Sequence, residues 1–161
     1  AKVLNDSDCP VLTPQHSEAV TQRHAEHREI ACSIRLDEEG LRILRYASQL
    51  TEAAGARLTI VHAIPGAGPN AAVLFDGAWR TRSPEAENAQ RQIEELQHTA
   101  GTRAGVRIVS GGIKQSIIDS TVALRTDLLV IGRSPEPGII GRMRDLTYAL
   151  VRDSLCPVLS F

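Results

Sequence analysis

No apolar run in this chain approaches the ~20 residues that a membrane-spanning helix needs, so a membrane anchor of that kind is excluded within it. Neither sign of charge dominates. The 18 Lys and Arg residues face 19 Asp and Glu residues, a net charge of −1 at pH 7. That balance excludes the electropositive footprint of a nucleic-acid-binding protein and gives no attraction to an acidic membrane surface. Cysteine is scarce: Cys9, Cys32 and Cys156 are the only three, and their separations fit no metal-ligand or redox spacing. An odd count of thiols suits a reducing compartment, and a cytoplasmic location is expected. The N-terminus is polar and helix-like, unlike a signal peptide. Two catalytic signatures are missing as well, the G-x-S-x-G nucleophile elbow and the GxxxxGK[ST] phosphate loop. Ser134 stands between Arg133 and Pro135 with no evident base partner. No general base and no metal ligand set is visible, so no enzyme activity is expected.

What the chain does have is a repeat. Residues 1–13, AKVLNDSDCPVLT, and residues 148–160, YALVRDSLCPVLS, align without gaps at an offset of 147 and match at 6 of 13 positions. The identities are Asp6/Asp153, Ser7/Ser154, Cys9/Cys156, Pro10/Pro157, Val11/Val158 and Leu12/Leu159. A repeat decides how a chain is parsed. Residues 1–13 read as the end of a helix and the edge strand of an upstream copy, 14–28 as a polar linker, and 29–161 as one complete domain. His24 and His27 in the linker sit at i and i+3, but no third ligand stands near them, so a solvated linker is expected rather than a zinc site.

Beyond the linker, strand and helix patterns alternate. Ile30–Arg35 is the first strand. Asp37 to Ala54 carries Leu41, Leu44, Ala47 and Leu50 at helical spacing, with Ile43 and Ala54 widening the stripe, and Gly55 ends it. Arg57–Ile64 is the second strand, and Pro65–Arg82 is a long Gly/Pro-containing loop. Ser83-Pro84 starts a helix with a hydroxyl cap and a first-turn proline, running to about Thr102. Val106–Val109 is the third strand, and Gly111-Gly112 turns into a helix through Leu124. Asp127–Ile131 is a fourth strand of the kind buried on both faces. Gly132–Arg144 reads as a loop, Asp145 as the cap of a last helix to Asp153, and Pro157–Phe161 as the fifth strand. This alternation implies an α/β protein with a parallel sheet covered by helices. A ligand would sit at the carboxyl ends of the strands, where strand order switches.

DLLVIGRSPEPGIIGRMRDLTYALVRDSLCPVLSF resembles the C-terminal half of a universal stress protein, and IACSIRLDEEGLRILRYASQLTEAAGARLTIVHAIP resembles its N-terminal half. The resemblance covers roughly residues 28–161. Residues 1–13 resemble the end of an upstream domain, as in the family's tandem members. It implies a five-stranded parallel sheet of order 3-2-1-4-5 with helices on both faces, here with an N-terminal extra strand. It also implies homo-oligomer or tandem pairing through the fifth, edge strand.

Many members of that family bind ATP through a loop written G-x2-G-x9-G-[ST], with an Asp ending the first strand. On this chain Gly132 takes the first position and Gly138 and Gly141 supply further loop glycines, while Pro135 takes the second position and Asp145-Leu146 the closing pair. The first-strand Asp falls on Arg35. Proline fixes φ and has no N–H to donate. A carboxylate at a helix start would take the amides that a phosphate would use, and Leu146 offers no hydroxyl. Against this, Arg35, Arg133, Arg142 and Arg144 gather four cations that could bind phosphate, unless they pair with Glu136, Asp145 and Asp153. His62 ends the second strand in the crevice or the core, and Trp79 with Phe75 reads as a hydrophobic plug or as a lid. The expectation is a regulatory or interaction module pairing through its edge strand, with a degraded ATP loop and no cofactor. The alternative is an ATP-binding, nucleotide-dependent switch.

Overall fold

The computed structural model describes residues 9–14, 28–65, 83–133 and 140–161, with Pro65 and residues 140–145 described through their backbone alone. The expected plug or lid at Phe75 and Trp79, the His24/His27 pair, Ser134 and Pro135 lie outside the described residues. The strands are β1 (Val11–Thr13), β2 (Glu29–Ser33), β3 (Arg57–Pro65), β4 (Gly105–Gly111), β5 (Leu128–Ile131) and β6 (Val158–Ser160). The helices are α1 (Glu38–Ala54), α2 (Pro84–Ala100), α3 (Ile113–Leu124) and α4 (Ile140–Asp153).

Local chemistry sets most boundaries. Asp37 caps α1 by accepting from the Gly40 amide at 3.0 Å, and Gly55 closes it in the left-handed region at φ 62°. Ser83 caps α2, accepting from the Ala86 amide at 3.2 Å, with Pro84 in the first turn. The buried stripe of α1 runs through Gly40, Ile43, Leu44, Ala47 and Thr51. It is rotated from the one expected, leaving Leu41 and Leu50 half-buried. The rotation follows from a close approach: a Cβ on Gly40 would lie 1.8 Å from the Arg35 carbonyl oxygen, so only glycine can face the preceding turn there.

One expected boundary fails. The last helix begins at Ile140, so position 145 is inside α4 and Asp145 is not its N-cap. The strongest helix-breaking pair before it is Pro137-Gly138; beyond that pair only Gly141 has poor helix propensity, which one turn tolerates.

The six strands form one mixed sheet in the order β1-β6-β5-β2-β3-β4. The five strands from β2 onward run parallel in the expected order, and β1 adds antiparallel on β6, so the sheet is mixed and six-stranded rather than five-stranded and parallel. Alternation along the strands divides the core in two. Ile30, Cys32, Ile60, Ile108 and Val130 pack under α1 and α2, whereas Ala31, Val61, Val109, Leu129 and Ile131 pack under α3 and α4. Losing any of the large aliphatic side chains to alanine costs ~2–5 kcal/mol. Asp127 fastens the two central strands where both begin. Its Oδ2 accepts from the amides of Arg28 at 3.0 Å and Glu29 at 2.9 Å, and its own amide donates to the Glu29 carbonyl at 2.8 Å.

The arm behaves as the repeat suggests. Val11, Leu12 and Thr13 pair with Ser160, Leu159 and Val158 respectively. Under the repeat, Val11 corresponds to Val158 and Thr13 to Ser160. The pair Val11–Ser160 is therefore the image of the pair Thr13–Val158, and Leu12–Leu159 lies on the centre. The ladder is self-complementary. Two side chains lock it: Ser160 Oγ donates to the Val11 carbonyl at 3.3 Å, and Arg133 Nη2 donates to the Cys9 carbonyl at 2.6 Å.

Candidate functional site

A cavity of about 150 Å³ opens at the carboxyl ends of β2, β3 and β5. β2 is the strand from which the order runs both ways, with β5 on one side and β3 on the other, and such a switch point is where an open α/β sheet offers a crevice. The sheet contributes Ser33 at the end of β2 with Ile34 and Arg35 beyond it, His62 and Ala63 from β3, and Ile131 at the end of β5 with Gly132 beyond it. Glu39 and Ile43 of α1, Ile113 and Ile117 of α3, and Leu146, Thr147 and Leu150 of α4 complete the lining.

Arg35 occupies the rim. Its guanidinium lies 2.6 Å from Asp37 and 3.5 Å from Glu39. The turn between β2 and α1 holds Asp37 in place because that carboxylate also caps the helix, so Arg35 meets an acceptor that is already fixed. Both groups of the Arg35–Asp37 pair are more than a third exposed, so the pair adds little to stability. Its effect is on the rim's charge: one cation stands beside two carboxylates, a net charge of −1 for the three.

His62 lies inside, with Nδ1 3.1 Å from the Ile34 carbonyl oxygen. Burial pushes its pKa below the ordinary histidine value, only partly opposed by that hydrogen bond. The ring is neutral at pH 7. A carbonyl can only accept, so Nδ1 carries the proton and Nε2 is the acceptor.

Gly132 lines the cavity where the loop glycine was expected to meet phosphate, and it lies close under the side chain of Ile43. A Cβ there would fall 2.3 Å from Ile43 Cδ1. Leu146 and Arg35 line the same space. Gly141 is the second residue of α4, and Asp145 lies within that helix. Gly138 and Pro135 lie outside the described residues. Arg133 does not join Arg35: it holds the arm through Cys9, and its amide donates to the Phe161 carbonyl at 2.8 Å. The side chains of Arg142 and Arg144 are not described, nor is that of Asp145. Asp153 instead takes Lys114 and Arg152 as partners, which hold its carboxyl well below the usual range. Sequence reasoning missed Glu39 and Ile43. The spacing of four between Arg35 and Glu39 was the available signal for the first; the second was read on the inward stripe of the helix but not as a wall of the crevice.

The described cavity is smaller than the ~300–1,000 Å³ of ordinary ligand sites, and its walls are mainly Ile and Leu. Among the described residues no group of three His, Cys, Asp or Glu side chains could hold a metal ion. No helix among them is long and apolar enough to cross a membrane.

Residues 27–161 match the model of the Universal stress protein family. No curated protein matches the chain. A universal stress protein from Archaeoglobus fulgidus DSM 4304 superposes with a TM-score of 0.66 at 19% identity, over 98% of this chain and 51% of that one. This chain thus spans about half the length of that relative. A universal stress protein in complex with cAMP superposes with a TM-score of 0.64 at 20% identity, over 85% of this chain and 98% of that one. The universal stress protein from Archaeoglobus fulgidus in complex with dAMP gives a TM-score of 0.59 at 17% identity, over 84% of this chain and 98% of that one. At these identities the likeness is one of fold.

Proposed function

The chain belongs to the universal stress protein family, and from that premise we propose a regulatory or interaction module that works through its paired edge strand, with a crevice that has given up nucleotides. The observation that carries the reading is the rim. Arg35 stands where the family's motif has an Asp, and it is held by Asp37 and Glu39. A nucleotide sugar loses its acceptor there, and a polyphosphate meets two carboxylates for one guanidinium. The small apolar cavity adds to this, since a nucleotide's phosphates need amides or cations along the loop rather than isoleucine.

The edge strand supports the interaction role. β1 pairs with β6 as a repeat copy of β6 would, the arrangement expected if residues 1–13 are the tail of an upstream domain in a tandem. Superposition on 98% of this chain but half of the Archaeoglobus relative agrees with that organisation. The three thiols without disulfides fit the cytoplasm. The second reading, a nucleotide-dependent switch, draws on the relatives solved with cAMP and dAMP.

Calorimetry with ATP, AMP and cAMP separates the two. No binding up to millimolar ligand is expected, and no thermal shift, whereas a true ligand at 100 times its Kd would add ~2.7 kcal/mol of stability. A micromolar Kd for any of the three would overturn the proposal in favour of the switch.

A further inference from the structure

The crevice is small and apolar, but it is not without chemistry. Ile34, Ile43, Ile117, Ile131 and Leu150 wall it, and a charged ligand buried among them would lose its hydration without compensation. Three neutral polar residues, Ser33, His62 and Thr147, break the apolar surface, and His62 is the one whose ring hydrogen bonding is fixed. His62 lines the cavity with its Nδ1–H committed to the Ile34 carbonyl at 3.1 Å, so the ring offers an incoming molecule a single acceptor, Nε2, and no donor. The described part of the rim disfavours anions, because Arg35 is engaged by Asp37 and Glu39. Volume sets the remaining limit: a cavity of about 150 Å³ matches the size at which apolar protein cavities take a benzene ring.

We infer that this crevice is a binding site for a small uncharged molecule with an apolar ring and one hydrogen-bond donor, the phenol class, with the donor on His62 Nε2. The inference rests on the reading that the crevice has given up nucleotides, and it names what takes their place. Recognition would come from shape and from the hydrogen bond to His62. An isostere without the donor fits the same walls but leaves the imidazole acceptor unsatisfied, which makes discrimination between the two the distinguishing property.

The test is an NMR titration of the whole chain with phenol and with toluene, which replaces the hydroxyl by a methyl group of similar size. Saturable shifts are expected at the amides of Ser33, His62, Gly132 and Thr147, with phenol binding at least five-fold more tightly than toluene. His62→Phe should bring the two affinities together. Ala63→Leu, which puts a larger side chain on the cavity wall, should abolish both. Absence of saturable shifts with either ligand would overturn the inference. So would equal affinity of the wild-type chain for phenol and toluene, a comparison that stands even if His62→Phe does not fold. ATP titrated in parallel reports on the other reading separately. ATP shifts at these amides sink the loss of nucleotide binding, and a failed phenol titration with silent ATP sinks only the phenol site.

Discussion

Leu12 lies directly opposite Leu159 in the antiparallel ladder between β1 and β6, and the two leucines are the same position of the repeated segment. The burial around them is not symmetric: Leu159 is 9% exposed and Leu12 is 58% exposed. Leu159 belongs to the core under α1 and α2, whereas β1 ends the sheet. The arm therefore satisfies the hydrogen-bonding edge of β6 without reproducing the packing of a second domain.

Removing residues 1–13 should leave β6 as a bare apolar edge, which strands of other molecules will seek. The shortened chain is expected to dimerise or aggregate, with mass by light scattering rising as concentration increases. Because the ladder is self-complementary, the preferred dimer places Leu159 opposite Leu159 of a second copy. Leu159→Cys in the shortened chain should then cross-link on oxidation. A shortened chain that stays monomeric and equally soluble would show that the arm does not protect this edge.

Asp127 joins strands about a hundred residues apart in sequence through two backbone amides. Asp127→Ala leaves those amides without their acceptor, and hydrogen bonds to a charged group contribute ~1.5–3 kcal/mol. A loss of that size in urea unfolding is expected, with Asp127→Asn losing less because it retains an oxygen. An unchanged unfolding midpoint in the alanine variant would refute the clasp.

His62 gives a pH signature. Its folded pKa lies below the ordinary value of 6.5 because it is buried. Between the two values the unfolded chain binds the proton and the folded chain does not, so stability rises with pH in that window. Above pH 6.5 the effect vanishes, and below the folded pKa the loss levels off. His62→Gln should flatten this part of the profile between pH 7 and pH 5. A variant whose stability falls as steeply as wild type would rule His62 out as the source.

The thiols should separate by reactivity. Burial pushes the Cys32 thiol up to about 12, and Cys156 is also raised by burial, so neither forms thiolate near neutrality. Cys9 is exposed on the arm. At pH 8 one thiol should react promptly with a thiol reagent, and three should react after unfolding. Prompt labelling of Cys32 in the folded chain would contradict its place in the core.

Where residues dictate structure locally, the sequence was enough. Gly55, Ser83-Pro84 and the DLLVI strand each stand where their chemistry put them, and the repeat anticipated the ladder of β1 on β6. The start of α4 was not legible, because Asp145 looks like a cap to any local reading while the backbone is already helical at Ile140. The site was half legible. Gly132, Arg35 and Leu146 were found at the crevice from the motif, but the closeness of Gly132 to Ile43 of α1 is a contact made only by folding. The partners of Arg35 depend on a turn that brings Asp37 and Glu39 back towards it. Arg133 was left between binding phosphate and pairing with a carboxylate, and its guanidinium reaches the Cys9 carbonyl of the arm, a contact across 124 positions that no spacing rule reaches.

The arm reaches β6 from the same chain, and that connection changes what governs the edge. Joined through positions 14–28, β1 is presented to β6 at an effective concentration on the order of millimolar, as for short tethers generally. A strand from another molecule at micromolar concentration is outnumbered about a thousandfold. Covalent connectivity, rather than abundance, therefore decides which strand occupies this edge. A single proteolytic cut within 14–28 would turn a concentration-independent contact into one that dilution can undo.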